Sequence, residues 1–450
     1  MMVDIIVACT KSFGIGFGNI IPWNITEELN IFKNRTENNV IIVGRKTAET
    51  LPKLKNRIII CVSNKSFISN DKNNCIILQS IDEALKYSEK YFKNKTIFIA
   101  GGSEIYNYIL NNKIESLKTL HLSIIKNSYI CDKYININLH EWNINTVEDH
   151  KDFTYYTMTY SKYTESQYLS LLKEVLYKGE ERNCRNGITK SLFGKSLKFD
   201  IREGFPLLTT KKMFLRGIIE ELLFFIKGET NSKLLENKMI NIWKGNTSRT
   251  FLDSIGMKDR IEGDMGPMYG YQWRYYNSTY DTQNMKPIEH GIDQLQNVID
   301  TIIKDPYSRR ILLTSYNPLQ CSEGVLYPCH SIIIQFYVSE SFLDMYCYNR
   351  SQDLFLGVPF NIASSSLLLM LIAKVTKLIP RYLTIGMGDI HIYKQHYEAV
   401  ENQIQRLQYK FPNIKIKNVE NLKDIENLTY EDFELIEYLY HPAIKSEMIP

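Results

Sequence analysis

Short apolar runs that are rich in β-branched residues recur through the first third of the chain, and they predict buried strands. Residues 2–10, 40–43 and 96–100 are runs of this kind, and residues 154–160 form a last one. A helix is predicted from about Thr26, after the first of these runs. We therefore expect an α/β domain with a central mixed sheet and flanking helices.

The apolar spacing changes after residue 161, which predicts a domain boundary. Residues 167–177 have helical spacing, with apolar side chains at Tyr168, Leu171, Leu172, Val175 and Leu176. We predict two domains, residues 1–162 and residues 163–450. Each is long enough to bury its own core. The second is expected to be α+β, with a large sheet.

Composition constrains the compartment and the partners. The 450 residues carry a net charge of only +4, and no dedicated nucleic-acid module is visible, so nucleic-acid binding is not predicted. The apolar run at residues 367–373 is too short to span a bilayer and predicts a buried core helix. No cleavable signal is visible, which favours a cytoplasmic location without a membrane partner. The eight cysteines and eight histidines show no metal-ligand spacing, so no metal site is predicted.

The strongest chemical signal surrounds Cys329. Arg309, Arg310 and Arg350 lie nearby in the sequence, and cations favour the nucleophilic thiolate. Guanidinium groups also match the geometry of a phosphate. The amide of Asn361 offers a donor and an acceptor, as recognition of a pyrimidine edge requires. Cys329 alone is as well explained as a buried structural cysteine, but the whole pattern favours nucleophilic chemistry on a nucleotide monoester.

Ordered motifs make the second domain resemble thymidylate synthase nearly from end to end. They are residues 185–187 (RNG), 204–211 (GFPLLTTK), 220–223 (EELL), 242–243 (IW), 263–270 (GDMGPMYG), 326–330 (LYPCH), 357–361 (GVPFN), 388–393 (GDIHIY) and 441–445 (HPAIK). Residues 248–256 resemble an insertion that is typical of eukaryotic members. So many matches in the same order make the resemblance specific.

The resemblance to thymidylate synthase implies a reaction. Cys329 would attack C6 of dUMP, and C5 would take a one-carbon unit from 5,10-methylenetetrahydrofolate, giving dTMP and dihydrofolate. Glu221 and Tyr269 would serve proton transfers through ordered water. In this family the arginine pair, here Arg309 and Arg310, reaches the phosphate of the partner subunit, which implies a homodimer through the synthase domain.

The same resemblance implies two sets of binding residues. Those implied for dUMP are Arg185, Arg309, Arg310, His330, Asn349, Arg350, Ser351, Asp353, Asn361, His391 and Tyr393. Those implied for the folate are Ile242, Trp243, Asp353, Leu356, Gly357 and Phe360. Some positions depart from the family pattern: Asn349 stands where a glutamine is usual, and Ser365 where a tyrosine is common. Neither change removes a group that makes or breaks bonds, but Asn349 bears on the geometry near the phosphate or the thiol.

The first domain carries an acid on its first predicted helix. Thr26 is placed to cap this helix. Leu29 and Phe32 share one face, with Glu28 beside them. A solvated first-turn glutamate is the commoner explanation for one helix in isolation, and a functional acid is the alternative.

Two strand-to-helix turns carry groups that suit a phosphate. Residues 44–47 (GRKT) follow one strand and residues 101–106 (GGSEIY) follow another. Helix N-termini present free amides, and paired glycines let the backbone approach a cofactor closely. A single Gly-Gly pair usually marks only a turn, but two turns of this kind favour phosphate binding.

Together with Pro22 and Trp23, these features make residues 1–162 resemble dihydrofolate reductase. The resemblance implies reduction of dihydrofolate to tetrahydrofolate by NADPH, with Glu28 anchoring the pterin and helping to protonate N5. Implied folate contacts are Ile6, Val7, Glu28, Phe32, Leu51, Arg57 and Ser123. Implied NADPH contacts are Ala8, Ile15, Gly16, Gly44, Arg45, Lys46, Thr47, Ser63, Gly101, Gly102, Ser103, Glu104, Ile105 and Tyr106.

The chain as a whole resembles enzymes in which these two activities are fused. Two alternatives stay open. In one the reductase half is inactive, since Ala48, Ala100 and Asn64 depart from its family pattern. In the other the chain binds RNA, which the weak charge disfavours. A hydroxymethylating relative acting on deoxycytidylate is disfavoured by Asn361, where an acid would be expected.

Overall fold

The computed structural model describes residues 2–64, 74–184 and 186–447. The chain divides into two compact units, residues 1–162 and residues 163–450. Arg185, which was predicted to bind dUMP, lies outside the described residues.

The first unit contains ten strands and four α-helices among its described residues. The strands are β1 (Val3–Thr10), β2 (Gly14–Gly16), β3 (Val40–Gly44), β4 (Ile58–Val62), β5 (Cys75–Leu78), β6 (Ile97–Ile99), β7 (Leu117–Ile125), β8 (Lys133–Tyr134), β9 (Trp142–Asp149) and β10 (Phe153–Tyr160). The helices are α1 (Thr26–Thr36), α2 (Arg45–Thr50), α3 (Ile81–Tyr91) and α4 (Ser103–Asn112).

Eight of these strands form one mixed sheet in the order β5-β4-β3-β6-β1-β7-β10-β9. The pairs from β5 to β7 are parallel, and β10 is antiparallel to both β7 and β9. The four residues from Val40 to Val43 are completely buried, as expected for a parallel strand that is covered on both faces. The predicted α/β domain with a central mixed sheet is therefore confirmed.

The second unit contains ten more strands and nine α-helices among its described residues. The strands are β11 (Glu180–Cys184), β12 (Gly187–Asp200), β13 (Tyr280–Asp281), β14 (Lys286–Pro287), β15 (Leu312–Thr314), β16 (Ile333–Ser339), β17 (Phe342–Asp353), β18 (Ile379–Tyr393), β19 (Asn413–Ile416) and β20 (Phe433–Ile436). The helices are α5 (Ser166–Lys178), α6 (Leu215–Ile226), α7 (Lys233–Glu236), α8 (Arg249–Ser254), α9 (Gly270–Tyr275), α10 (Gln294–Lys304), α11 (Gly357–Val375), α12 (Tyr397–Ile404) and α13 (Leu422–Glu426).

A six-stranded sheet organises this unit, in the order β11-β12-β18-β17-β16-β15. Only β17 and β18 pair in parallel within it. Side chains on β16 alternate strictly between exposed and buried, so one face of the sheet covers the core and the other faces outward. Helices and sheet segregate as in an α+β fold, which confirms the predicted class.

Helix α11 lies in the core of the second unit. It is the one helix among the described residues that is long and apolar enough to cross a membrane, but 72% of its apolar window is buried inside the protein. Leu367, Leu369 and Leu371 have no exposed surface. This is the packing of a core helix, as predicted from residues 367–373.

A buried carboxylate holds the start of α5 against the segment that leads into α6. Glu165 is completely buried and accepts hydrogen bonds from the backbone and hydroxyl groups of Thr209, at 2.6 and 2.7 Å. It also accepts the Thr210 backbone N–H at 3.0 Å and the Thr210 hydroxyl. Burial raises the pKa of Glu165, and the four hydrogen bonds oppose that shift. One carboxylate thus satisfies four buried donors.

We predict that Glu165→Ala destabilises the second unit by about 3–5 kcal/mol, because four buried donors lose their acceptor. Calorimetric unfolding of the full chain measures this as a lowered transition for that unit. Glu181→Ala is the matched control, because Glu181 is exposed and its loss should cost less than about 0.5 kcal/mol. Equal unfolding transitions for the two variants would contradict the assigned role of Glu165.

Candidate active sites

Parallel strands bring the predicted cofactor residues to one edge of the first sheet. The carboxyl ends of β1, β3, β4 and β6 lie at the same edge, because these strands pair in parallel. Gly44 ends β3, and its N–H donates to the Gly101 carbonyl at 2.8 Å, which joins the turns after β3 and β6. Helices α2 and α4 both begin at this edge. In α/β sheets, ligands bind outside the carboxyl ends of the strands.

At this edge the backbone of two glycines lies so close to neighbouring residues that an added side chain would crowd them. A Cβ on Gly102 would lie 3.2 Å from Thr47 Oγ1, and one on Gly44 would lie 3.3 Å from Ile105. Gly101 has a φ of 120°, which favours glycine. Helix α4 has no side-chain cap, so its first N–H groups stay open. Close backbone and open amides fit the phosphates of a dinucleotide such as NADPH.

The other predicted cofactor residues are placed as follows. Ser63 directly follows β4 at this edge, Ala8 lies on β1, and Ile15 and Gly16 lie on β2. Within α2 and α4, Lys46 and Glu104 are exposed, Ser103 is half-buried, and Ile105 and Tyr106 are buried. The guanidinium of Arg45 forms an ion pair with Glu49 at 2.5 Å, so part of its charge is already neutralised.

Glu28 is buried on α1, with only 8% of its surface exposed. Burial raises its pKa, and a hydrogen bond with Ser123 on β7 opposes that shift. The neighbouring Leu29, in contrast, is 49% exposed. The helix begins at Thr26 and Ile25 occupies the capping position, so the prediction that Thr26 caps the helix was wrong.

Apolar and cationic side chains surround the Glu28 region. Ile6 and Val7 are buried on β1, and the hydroxyl of Tyr106 donates to the Ile6 carbonyl at 2.7 Å. Phe32 and Leu51 pack against one small apolar cluster, which is formed by Ile41, Val43, Ala48, Ile59 and Cys61. Arg57 is tethered to the carboxyl-terminal turn of α1: its Nε donates to Thr36 Oγ1 at 2.9 Å and its Nη2 to the Lys33 carbonyl at 2.6 Å. The tether fixes the orientation of a guanidinium group, which suits a carboxylate.

In the second unit, the loop that carries Cys329 is fastened to the end of β17. The Cys329 carbonyl accepts the N–H groups of Arg350 at 3.0 Å and Ser351 at 3.3 Å. The Cys329 N–H donates to the Tyr269 hydroxyl at 3.0 Å. Arg350 Nη2 lies 3.5 Å from Cys329 Sγ. A guanidinium beside a sulfur favours the thiolate, so the arrangement suits a nucleophile.

A buried acid lies close to this loop. Glu221 accepts a hydrogen bond from Trp243 Nε1 at 2.8 Å, and burial raises the pKa of its carboxyl to about 7. Tyr269 is buried against the Trp243 ring, with centroids 5.9 Å apart, and burial raises its pKa. The His330 ring stacks on Tyr269 at 4.4 Å, and its removal from water lowers its pKa to about 4, so it is neutral at pH 7. This environment suits proton transfer at neutral pH.

Three predicted binding residues are oriented by neighbours to which the sequence interpretation gave no role of their own. Asn361 Nδ2 donates to Gln352 at 2.9 Å, and His391 Nδ1 lies 2.8 Å from Asp389. Tyr393 hydrogen-bonds Asn186. Asp389 could have been found, because it lies two residues before His391 on the same side of a strand. Asn186 lies within the motif at residues 185–187, whereas Gln352 carried no comparable signal.

The predicted folate-binding residues of this unit lie around the start of α11 and beside α6. Asp353 Oδ1 accepts the N–H groups of Phe355 at 2.9 Å and Leu356 at 3.1 Å, which shapes the turn into Gly357. In register, Asp353 lies opposite His391 on β18. Trp243 is buried, and Ile242, Leu356 and Phe360 are partly buried against the core.

Three predicted dUMP residues are placed differently from the rest. Arg309 and Arg310 are exposed just before β15, and within the described ranges no hydrogen bond joins them to the Cys329 loop. Asn349 is completely buried, with Oδ1 turned to the Ser331 N–H at 2.7 Å. The contact of Asn349 with dUMP stays a prediction: its Oδ1 is engaged by the backbone, and its Nδ2 has no hydrogen-bond partner among the described residues.

Comparison with known proteins identifies both halves. A family model of dihydrofolate reductase matches residues 2–165, and a family model of thymidylate synthase matches residues 166–450. The chain is therefore a fusion of a reductase and a synthase domain.

Relatives with the same fusion cover almost the whole chain. The bifunctional dihydrofolate reductase-thymidylate synthase of Paramecium tetraurelia is 36% identical over 464 residues, covering 99% of this chain and 98% of the relative. That of Zea mays is 36% identical, covering 99% and 96%, and that of Leishmania major is 34% identical, covering 99% and 94%. The chain belongs to the bifunctional dihydrofolate reductase–thymidylate synthase family.

The raised pKa of Glu221 predicts a pH-dependent effect of Glu221→Gln. The folded carboxyl stays protonated up to about pH 7, whereas an unfolded one ionises near 4.5, so folding of the wild type weakens as the pH rises between these values. Glutamine does not titrate. We expect the variant to gain about 2–3 kcal/mol relative to the wild type between pH 5 and pH 8.

Melting temperatures of the second unit at pH 5 and pH 8 measure this effect. Glu181→Gln, at an exposed position, is the control and should follow the wild type at both values. Parallel pH profiles for the wild type and Glu221→Gln would show that Glu221 ionises normally.

Proposed function

We propose that this chain catalyses two consecutive reactions of thymidylate synthesis. Residues 163–450 methylate dUMP to dTMP with 5,10-methylenetetrahydrofolate, and residues 1–162 reduce the resulting dihydrofolate to tetrahydrofolate with NADPH. The observation that carries the proposal is the guanidinium of Arg350, 3.5 Å from the sulfur of Cys329. The small-molecule partners are dUMP, dihydrofolate and their cosubstrates.

The synthase reaction begins at Cys329. Its thiolate, favoured by Arg350, forms a bond to C6 of the uracil ring, which makes C5 nucleophilic. C5 then bonds to the one-carbon unit of the folate. Loss of the C5 proton and cleavage of the bond between that carbon and N5 of the folate leave a methylene group on C5. A hydride from the tetrahydrofolate reduces this methylene to a methyl group as the bond between Cys329 and C6 breaks, which leaves dTMP, dihydrofolate and the free thiolate. Glu221, with a pKa of about 7, takes up and returns protons through ordered water beside Tyr269.

Binding of dUMP uses groups on three parts of the fold. Asn361, oriented by Gln352, selects the uracil edge. His391 and Tyr393 hold the ribose hydroxyl. The phosphate is bound by Arg350 and Ser351 together with Arg185, and by Arg309 and Arg310 from a second subunit. The folate lies against Ile242, Trp243, Asp353, Leu356, Gly357 and Phe360.

The reductase reaction depends on Glu28. Burial raises the pKa of this acid, which helps it hold a proton for N5 of the pterin that it anchors. Ser123 orients the carboxyl, Ile6, Val7, Phe32 and Leu51 enclose the folate, and Arg57 pairs with its glutamate carboxylate. NADPH, when bound, supplies the hydride to C6. The glycine turns at Gly44 and at Gly101 to Ser103 hold its phosphates, with Ala8, Ile15, Gly16, Arg45, Lys46, Thr47, Ser63, Glu104, Ile105 and Tyr106 around it.

We also propose a homodimer through the outward face of the six-stranded sheet. Large side chains are exposed on this face: Leu312 is 44% exposed, Ile333 42%, Tyr337 66% and Tyr346 45%. Register places them together, since Gln335 on β16 lies between Ile333 and Tyr337 and pairs with both Leu312 and Tyr346. Large exposed side chains grouped around Gln335 on one sheet face suit a self-complementary twofold contact.

The location is proposed to be the cytoplasm. All eight cysteines are free thiols, including Cys184, which is exposed. Free cysteines are typical of a reducing compartment.

NADPH oxidation with methylenetetrahydrofolate, before and after addition of dUMP, tests both reactions together. In the wild type we expect oxidation only after dUMP is added. Glu28→Gln should form dTMP while dihydrofolate accumulates, because only the reductase acid is lost. Cys329→Ala should reduce added dihydrofolate but form no dTMP. Loss of both activities in either variant would contradict independent sites, and a wild type that accumulates dihydrofolate would mean a silent reductase.

Mixing two inactive variants tests the dimer. If Arg309 and Arg310 serve the partner's site, a Cys329→Ala chain can complete the site of an Arg309→Ala/Arg310→Ala chain. Random exchange of subunits should then restore about a quarter of the wild-type synthase rate. The matched control mixes the arginine variant with a chain that carries all three substitutions and should restore nothing. Absence of recovery despite demonstrated subunit exchange would place the arginines in their own subunit's site.

A further inference from the structure

A chain of buried polar groups lies behind the Cys329 loop. Asn349 and Cys347, on β17, have no exposed surface, and Ser365 on α11 is 6% exposed. The Ser365 hydroxyl hydrogen-bonds the Cys347 thiol, and Cys347 Sγ lies 3.3 Å from Asn349 Oδ1. The same oxygen accepts the Ser331 N–H at 2.7 Å. Two positions that depart from the family pattern, Asn349 and Ser365, are thus joined in one network.

The orientation of the Asn349 amide follows from its partners. A backbone N–H can only donate, so the atom that faces Ser331 must be the amide oxygen. Burial raises the pKa of Cys347 to about 11, so its thiol keeps its proton and also donates. The Asn349 Nδ2 atom is buried without a hydrogen-bond partner among the described residues. An unpaired buried donor costs about 1–3 kcal/mol, so the amide is a poor choice for stability alone.

The Asn349 amide is connected to the nucleophile through the backbone of Ser331. It lies two residues after Cys329 and has a φ of 52°, which is uncommon for a residue other than glycine. Its carbonyl accepts the Ser315 hydroxyl at 2.6 Å, while its N–H is held by Asn349. Both hydrogen-bonding groups of this strained residue are therefore fixed, which fixes the path of the backbone that leaves Cys329.

The other end of the network lies on the helix that carries the pyrimidine-reading amide. Ser365 follows Asn361 by four residues on α11, so the two side chains lie one above the other on the same helix face. The hydrogen bonds from Ser365 through Cys347 and Asn349 to Ser331 thus connect that face to the Cys329 loop.

We propose that Asn349 is a positioning residue for the synthase reaction, which holds Cys329 in register with Asn361 by bonding the Ser331 backbone. The inference rests on the proposed function of the second unit. Asn349 itself has no exposed surface. Its contribution is to the placement of the thiol, and a displacement of about 1 Å in a reacting group can cost about a hundredfold in rate.

The Asn349→Leu variant distinguishes a role of Asn349 in positioning Cys329 from a role in the folding stability of the second unit. Leucine has a similar shape but no acceptor, so it removes the unpaired Nδ2 and leaves the Ser331 N–H unpaired instead, which keeps the number of unpaired N–H donors the same. The weaker Cys347 S–H donor also loses Asn349 Oδ1, but Ser331 Oγ lies 3.9 Å away as another acceptor. We expect the synthase kcat to fall about 10- to 100-fold, with little change in the melting temperature or in the reductase kcat of the same chain. Asn349→Gln keeps the amide and should retain most of the rate.

The control is Cys321→Ala, which removes another buried thiol of the same unit, one that faces the Pro318 carbonyl. It should leave the synthase kcat unchanged. A wild-type kcat in Asn349→Leu would overturn the inference. The inference would also be overturned if kcat and the melting temperature of Asn349→Leu fell together and Asn349→Gln showed the same loss of rate. A wild-type chain without any dTMP formation would instead overturn the proposed function, and this inference with it.

Discussion

The synthase site depends on the attachment of one carbonyl to one strand. The Cys329 carbonyl accepts the N–H groups of Arg350 and Ser351, and Arg350 Nε returns a hydrogen bond to the Pro328 carbonyl at 2.8 Å. The strand that holds the loop therefore also supplies the cation beside its sulfur. Because β17 pairs in parallel with β18, the same attachment brings Asp353 opposite His391 and sets the position of His391 relative to the thiol.

In the reductase unit, the candidate site is formed by the backbone of several turns rather than by a single loop. Its parallel strands end at one edge, where glycine turns and open helix amides meet without a bulky side chain between them. Charge plays a smaller part, since Arg45 is already paired with Glu49. Under the proposed function, the two units thus offer different groups to a phosphate: guanidinium groups in one and backbone amides in the other. Their fusion is chemically coherent, because the product of one reaction is the substrate of the other.

Periodicity and motif order predicted most of the fold, since buried strands such as Val40–Gly44 and amphipathic helices such as Ser166–Lys178 have strong local patterns. These sequence patterns failed where contacts between distant parts of the chain determine which side chains are buried. On α1 the apolar Leu29 is exposed and the acidic Glu28 is buried, because the sheet side of the helix is also the side of the site. The burial of Asn349 was not predicted either, because strand alternation turns it inward while its neighbour Arg350 faces the loop. The partners that orient the site, such as Gln352, depend on contacts between elements that no local pattern contains.

Burial of Glu221 affects the availability of protons in the synthase site, because it raises the pKa of the carboxyl. With a pKa of about 7, the carboxyl is present in nearly equal amounts as acid and as base in a neutral cell. Selecting either form from such a mixture costs only about 0.4 kcal/mol. An ordinary glutamate would instead have to be protonated at a cost of several kcal/mol before it could act as an acid. The buried Glu221 can therefore take up or release a proton at a similar low cost without any change of conformation.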